Sequence, residues 1–278
     1  MRKARRIAAV AVVSSALSPL SPMSMYTPPA FADTVAVDAS VEQQVRAQRR
    51  DSEPYKLSLL QRLTLAPYLG IQSLLDPTNA TAVAAFGDLT AGPALSQIIN
   101  TLRSTVEGQQ LLLLKPLITQ ESLDLPYLRQ LPAGTFGRSY VSFMDKHGYS
   151  ADGRAKVRFM LGEGEGAEEA YAMVRYRQVH DFWHVLSGLP PTVLGEVALK
   201  AFEFRVTGFP MAALGAALGP CKLQPAQIRT LYTQYVPWAV RAGGNMGRLM
   251  AFPYEKWLDK DLEEVRLELG VEPAPIVS

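Results

Sequence analysis

The chain of 278 residues has one cysteine, Cys221, and three histidines. A single thiol excludes an internal disulfide framework and a cysteine-rich zinc cage. Any metal must therefore be held by imidazole and carboxylate, and His147, His180 and His184 are the whole supply of ring nitrogens. Charge is scarce too, at 19% of residues against 48% hydrophobic, which leaves apolar side chains enough for a large core. The net charge is +2. Residues 1–32 hold Arg2, Lys3, Arg5 and Arg6 and no acid, which leaves the remainder at −2. A body so close to neutrality has no basic face for a nucleic acid, and none is expected as a partner.

The acid-free stretch 1–32 has the composition of a targeting leader. Its arginines and serines fit an organellar transit peptide. The apolar run Ile7–Ser18 and the Ala30-Phe31-Ala32 step before Asp33 fit a secretory signal equally well. That run is shorter than the roughly 20 residues a membrane-spanning helix needs. Residues 33–54 are polar and end in Arg49-Arg50-Asp51-Ser52-Glu53-Pro54, a linker or arm.

From Tyr55 the pattern is helical. An apolar segment beginning at Leu57, Leu60, Leu63 and Leu65 runs to Leu75, and Asp76-Pro77-Thr78 stops it. A second covers Ala80–Phe86, with Gly87-Asp88 after it; Gly92-Pro93 opens a third through Leu95, Ile98, Ile99 and Leu102. Residues 121–135 are loop-like, and helices follow over Gly137–Lys146, Ala167–Leu186, Val193–Thr207, Pro210–Leu218, Ala226–Ala242 and Tyr254–Leu269. Gly162 to Gly166 form an acidic loop that lacks the lysine of a phosphate cradle. No run alternates apolar and polar residues, so the expected fold class is all-α: a single multi-helix domain over 55–271 with short connections, then a tail, 272–278.

Two histidines lie four residues apart in His180-Asp181-Phe182-Trp183-His184. On a helix that spacing is about 40° of rotation, so both rings can face one ion. Asp181 lies about 60° from His184 and can flank the ion from the edge. Gly188, Pro190 and Pro191 end the helix, and the next one carries Glu196. The expected metal ligands, and catalytic residues, are His180, Asp181, His184 and Glu196. A half-buried histidine face with Asp181 orienting one ring is the plainer alternative. Ligand type allows Zn, which is the expected ion, and also Fe or Mn.

His-x-x-x-His with an acid in second place is similar to the zinc-protease motif, where that acid is Glu. Asp181 is one methylene shorter and reaches a bound water less well, which disfavours a hydrolase. The whole pattern, His-Asp-x-x-His and then Glu after eleven residues, resembles the family of coenzyme Q biosynthesis protein four. Val174-Arg175-Tyr176-Arg177-Gln178-Val179, Leu131 to Arg138, Val236-Pro237-Trp238-Ala239 and Gly208-Phe209-Pro210-Met211 carry the same resemblance, from about Tyr55 to Val271. It implies an all-α protein peripheral to the mitochondrial inner membrane, on its matrix side, and weights the leader toward a transit peptide. It implies a complex with other ubiquinone-biosynthesis enzymes and leaves a homodimer open. It implies removal of the ring carboxylate of a polyprenylated 4-hydroxybenzoate intermediate, with hydroxylation at the same carbon. The family's metal ligands fall on His180, Asp181, His184 and Glu196. Zinc cannot cycle redox states, so an oxidative step at zinc needs another oxidant. A non-catalytic scaffold that binds a lipid intermediate is the competing class.

Other residues have two readings each. Arg177, four before Asp181, is expected in a helix-surface ion pair, or else against Asp181 or a substrate carboxylate. Glu203, seven after Glu196 on nearly the same face, is a solvated carboxylate or a partner behind a ligand. Trp183 is expected in the core. His147 belongs to a helix end, not a metal site, and Arg138 contacts an anion or a loop carbonyl. The small-residue run Gly208–Gly219 is a buried helix, or else a wall for an isoprenoid tail or a membrane contact.

Overall fold

The structure is a computed structural model that describes residues 57–76, 79–160, 166–244 and 246–276. The expectations for the leader 1–32, the linker 33–54 and nearly all of the acidic glycine loop fall outside the described residues. Within them the regular structure is helical, and the only β pairing is an isolated bridge between Thr135 and Asp261. In chain order the helices are α1 Leu59–Leu75, α2 Ala80–Thr90, α3 Gly92–Arg103, α4 Val106–Leu114, the single turn α5 Leu125–Leu128, α6 Phe136–His147 and α7 Ala167–Ser187. They continue with α8 Val193–Thr207, α9 Pro210–Leu218, α10 Pro225–Thr230, α11 Val236–Ala242, α12 Met246–Ala251 and α13 Leu262–Leu269.

α7 is the axis of the fold. From Tyr171 to Ser187 its residues are buried but for Val174 and Gln178, which are half-buried. It packs against α3, α6 and α12, while α8 packs against α9, α11 and α12. Trp183, fully buried as expected, donates its indole N–H to the Tyr254 hydroxyl at 2.9 Å, and Phe182 stacks on Tyr254 with ring centroids 5.3 Å apart. A helix buried on all sides must satisfy any polar side chain it carries. Arg175 accordingly pairs with Glu255 and donates to the Phe252 carbonyl at 2.8 Å.

Arg177 corrects the expectation of a surface ion pair. Its guanidinium is buried, pairs with Asp88, and donates to the carbonyls of Ala84 and Ala155 at 2.9 Å each. Asp88 faces inward for this reason, and it also accepts the Arg158 amide at 2.8 Å. That bonding explains a second difference: Gly87-Asp88 does not follow a helix but lies inside α2, where Gly87 leaves room for Met211.

Two further departures have local causes. Residues 225–242 are continuous as expected, but Leu231–Tyr235 widens into a π-turn just before Pro237. Proline has no N–H for the helical ladder and its ring collides with the carbonyl four residues back; one wider turn relieves both. The helix expected over Tyr254–Leu269 begins only at Leu262, where Asp261 caps it. Residues 258–262 are instead tied to the start of α6: the Phe136 and Gly137 amides donate to the carbonyls of Lys260 and Leu258 at 2.8 Å, and Leu262 N–H donates to Gly134 at 2.9 Å. Residues 272–276 are irregular and bonded to the body, through Ala274 N–H to Ser187 and Trp238 Nε1–H to Glu272.

Among the described residues no single helix is long and apolar enough to cross a membrane. The bent pair Thr81–Thr90 and Gly92–Arg103 passes on composition, but Leu95, Ile98, Ile99 and Leu102 are core residues. α1 differs: Leu59, Leu60, Leu63, Tyr68, Ile71 and Leu75 are all exposed.

Candidate metal centre

The centre lies where α7 faces α8, and the connection between them sets its geometry. Gly188 ends α7 in the left-handed region at φ 72°, and the Thr192 side chain caps α8 by accepting the Gly195 amide at 3.2 Å. The chain reverses within residues 188–192, so α8 returns along α7. Tyr176, His180 and His184 line one helix at four-residue steps; Glu196, Lys200 and Glu203 line the other.

One side-chain atom each from His180, His184 and Glu196 lies within 4.8 Å of the other two. His184 Nε2 is 3.1 Å from Glu196 Oε1, and His180 Nε2 is 3.8 Å from Glu196 Oε2. The two imidazoles meet edge-on, with centroids 4.9 Å apart and planes at 88°. The opposite ring nitrogens are already committed. His180 Nδ1–H donates to Glu203 Oε1 at 2.5 Å, and His184 Nδ1–H donates to the Leu189 carbonyl at 2.9 Å. With Nδ1 committed as the donor in each ring, Nε2 is the atom each imidazole offers toward the Glu196 carboxylate. Two ring nitrogens and a carboxylate converging at this range offer three donor atoms to one ion. The donor set therefore fits a divalent ion, with the outer hydrogen bonds that metal-bound histidines require.

The electrostatics agree. Burial pushes the His180 pKa down against the pull of Glu203, so the ring is neutral and free to coordinate at pH 7. Burial alone would raise Glu196, but its contacts with His184, His180 and Lys200 outweigh that and hold it down at about 2. Its side chain is 38% exposed whereas those of His180 and His184 are 10% and 1%, so access to the centre is from the Glu196 side. Phe143 of α6 closes the other side, stacked on His184 with centroids 5.3 Å apart.

Glu203 is not solvated. It is fully buried and receives the Tyr176 hydroxyl at 2.5 Å and Lys200 Nζ at 2.6 Å besides His180. Burial raises its pKa, but Lys200 and His180 outweigh it and leave the carboxyl well below its ordinary 4.5. A depressed carboxyl contributes stability above its unfolded pKa, and that contribution drains as pH falls through the folded one. Glu203→Gln should therefore destabilise the metal-free protein most at neutral pH. Its deficit against wild type should shrink below about pH 4.5, in denaturant titrations at stepped pH. The same variant should weaken metal binding about 10- to 100-fold, because the amide is a poorer acceptor for the His180 Nδ1 proton.

Asp181 is not brought into the cluster. Its side chain is 2% exposed, and its carboxylate is held by Arg154, Nε at 3.1 Å from Oδ2 and the terminal nitrogen on Oδ1. The rotation between positions 180 and 181 turns it toward the 151–160 segment and away from Glu196. His147 sits at the last residue of α6 between Phe143 and Tyr149, and Arg138 donates to the Arg129 carbonyl. Sequence reasoning missed Arg154 and Phe143 altogether. Neither has a spacing signal, because each reaches α7 from another part of the fold.

Two imidazoles and a carboxylate on facing helices, backed by a buried acid, form a histidine–carboxylate group that could hold a metal ion inside an all-helical fold. Residues 52–275 match the family model described as coenzyme Q (ubiquinone) biosynthesis protein Coq4, and the chain belongs to that family. It is 41% identical over 217 residues to the mitochondrial ubiquinone biosynthesis protein COQ4 homolog of Aedes aegypti, covering 78% of each chain. It is 42% identical over 220 residues to the mitochondrial ubiquinone biosynthesis protein coq4 of Aspergillus niger, covering 79% of this chain and 74% of that one. A solved Nostoc punctiforme protein assigned to ubiquinone biosynthesis superposes with a TM-score of 0.59 at 25% identity, over 74% of this chain and 97% of that one.

Proposed function

We propose that the chain is a metal-dependent carbon–carbon lyase of ubiquinone synthesis, which removes the C1 carboxylate from a polyprenylated 4-hydroxybenzoate intermediate. The observation that carries this is the convergence of His180 Nε2, His184 Nε2 and the Glu196 carboxylate, with both Nδ1 protons engaged behind them. A divalent ion held there, zinc as the expected ion although the ligand type also allows iron or manganese, would supply Lewis acidity toward the ring substituents. The protein's own part is positional. Glu203 and the Leu189 carbonyl fix the two rings, and Phe143 and the buried face of α7 keep bulk water from His184. Glu196, the partly exposed member, lies on the open side of the centre, where substrate would approach. Loss of carbon dioxide leaves an electron pair on C1 that a proton quenches. Hydroxylation of that carbon requires an oxidant from elsewhere if the ion is zinc.

A mitochondrial location for this work is supported by relatives that are named mitochondrial. A position on the matrix face of the inner membrane, among other enzymes of the pathway, rests on the family resemblance; the apolar residues that α1 leaves exposed, together with Leu113 and Leu114 at the end of α4, suit contact with a membrane or a partner protein.

The competing class is a scaffold whose metal is structural. Cells relying on Glu196→Gln protein, at normal abundance and with the pathway complex assembled, should lose ubiquinone and accumulate a carboxylated prenyl intermediate. Normal ubiquinone in those cells would establish the scaffold instead.

A further inference from the structure

Lys200 sits one turn beyond Glu196 on α8, a spacing that brings the two side chains alongside each other. Of the six residues on the facing stripes of α7 and α8, these two reach solvent. Their side chains are 38% and 21% exposed, against 10% or less for Tyr176, His180, His184 and Glu203. Lys200 is also the one cation among the six. The nearby arginines of α7 are committed elsewhere, Arg175 to Glu255 and Arg177 to Asp88.

The stem of Lys200 is fixed, but its head has donors to spare. A Cβ on Gly215 of α9 would stand 3.1 Å from Lys200 Cγ, so α9 rests directly on the methylenes. Nζ donates to Glu203 Oε2 at 2.6 Å and lies 6.0 Å from the centre of the Tyr176 ring. That carboxylate is the one hydrogen-bond acceptor of Nζ among the described residues. Glu203 in turn shares its charge among Lys200, the Tyr176 hydroxyl and His180. An ammonium has three N–H groups, so two are left for a ligand.

Charge balance says which ligand. Glu196 and Glu203 against Lys200 leave these residues one negative charge in excess, and a divalent ion turns that to one positive. A single carboxylate neutralises it. Without Lys200 the occupied centre would be neutral, and an acid would enter past the Glu196 carboxylate with nothing to offset the repulsion.

We propose that Lys200 docks the ring carboxylate of the substrate, keeping one N–H on Glu203 and turning the other two to the acid that enters beside Glu196. This rests on the decarboxylase reading, and it makes Lys200 a binding residue set apart from the metal ligands. A compact ammonium on a flexible stem suits the task, because its donors can serve two carboxylates at once.

Zinc-loaded full-length protein is titrated with a prenylated 4-hydroxybenzoate and, separately, with its methyl ester, which has the same ring and tail and no charge. Lys200→Met should lose about tenfold in affinity for the acid, the worth of one charge-assisted hydrogen bond at a partly exposed site, and should bind the ester as wild type does. Lys200→Arg should recover most of the loss. Equal losses for acid and ester in Lys200→Met would reduce Lys200 to a support for Glu203 and overturn the proposal, as would no loss for either. A measurement on wild type covers a Lys200→Met protein that fails to fold or to load zinc. Reductive methylation of lysines, read by peptide mass spectrometry, should be slowed at Lys200 by the acid more than by the ester; equal slowing, or none, overturns the proposal. Wild type that binds neither acid nor ester would defeat the decarboxylase reading as well. Wild type that binds both, with no discrimination owed to Lys200, would defeat the docking role alone.

Discussion

His184→Ala protein should be purified with its helical content intact and almost without metal, where wild type carries about one ion per chain. His184 contributes the more sheltered imidazole, 1% exposed, and its Nε2 makes the shorter of the two approaches to Glu196. Removing a group behind a ligand commonly costs 10- to 100-fold in metal affinity, so removing the ligand should cost more than about 100-fold. Elemental analysis against protein concentration measures it. Asp181→Asn and His147→Ala are the informative comparisons. Both should keep metal, the first because Arg154 holds Asp181 apart from the cluster and the second because His147 packs only against Phe143 and Tyr149. Metal lost from Asp181→Asn as fully as from His184→Ala would mean that Asp181 is a resident ligand.

Gly195→Ala should be the most damaging single-carbon addition near the centre. A Cβ at Gly195 would stand 2.0 Å from the Pro190 carbonyl oxygen and 3.1 Å from its carbon. Those are backbone atoms of the short 188–192 reversal, so no side-chain rotation relieves the contact. The reversal must open, which moves the Leu189 carbonyl from His184 and Glu196 from both rings. Overpacking against rigid neighbours costs about 3 kcal/mol or more. For a domain of this size that lowers Tm by roughly 6–12 °C. Gly92→Ala at the start of α3 meets nothing within 4 Å and should be neutral or slightly stabilising. Differential scanning calorimetry separates the two. The Gly195 variant should also bind metal less tightly, which a purely global loss of stability would not predict at temperatures well below its Tm.

What was legible in the sequence was whatever repeats with a helical period. α8 and α9 begin and end where glycine, proline and threonine say they should, and His180, His184 and Glu196 converge because three- and four-residue steps bring them to facing stripes. What was hidden came from pairings distant in sequence. Arg177 looked like a surface residue because its partner, Asp88, is 89 positions away on α2. Asp88 in turn looked like a helix stop, because its burial depends on that arginine. Asp181 looked equivalent to its histidine neighbours because the pattern carries no trace of Arg154, 27 residues earlier in an irregular segment. The late start of α13 follows from hydrogen bonds to Gly134, Phe136 and Gly137, contacts that no local propensity encodes. Glu203 was the intermediate case: its spacing placed it on the right face, but only the fold shows Lys200, Tyr176 and His180 around it.

The most direct test is to supply zinc-loaded wild-type protein with a prenylated 4-hydroxybenzoate carrying a ¹³C label in its carboxyl group. Labelled carbon dioxide is then followed by mass spectrometry, with metal-free protein and Glu196→Gln run alongside. Labelled carbon dioxide from the loaded wild type, with neither comparison rising above background, is the predicted result. Loaded wild type that holds its ion and binds the acid while releasing no label would contradict it.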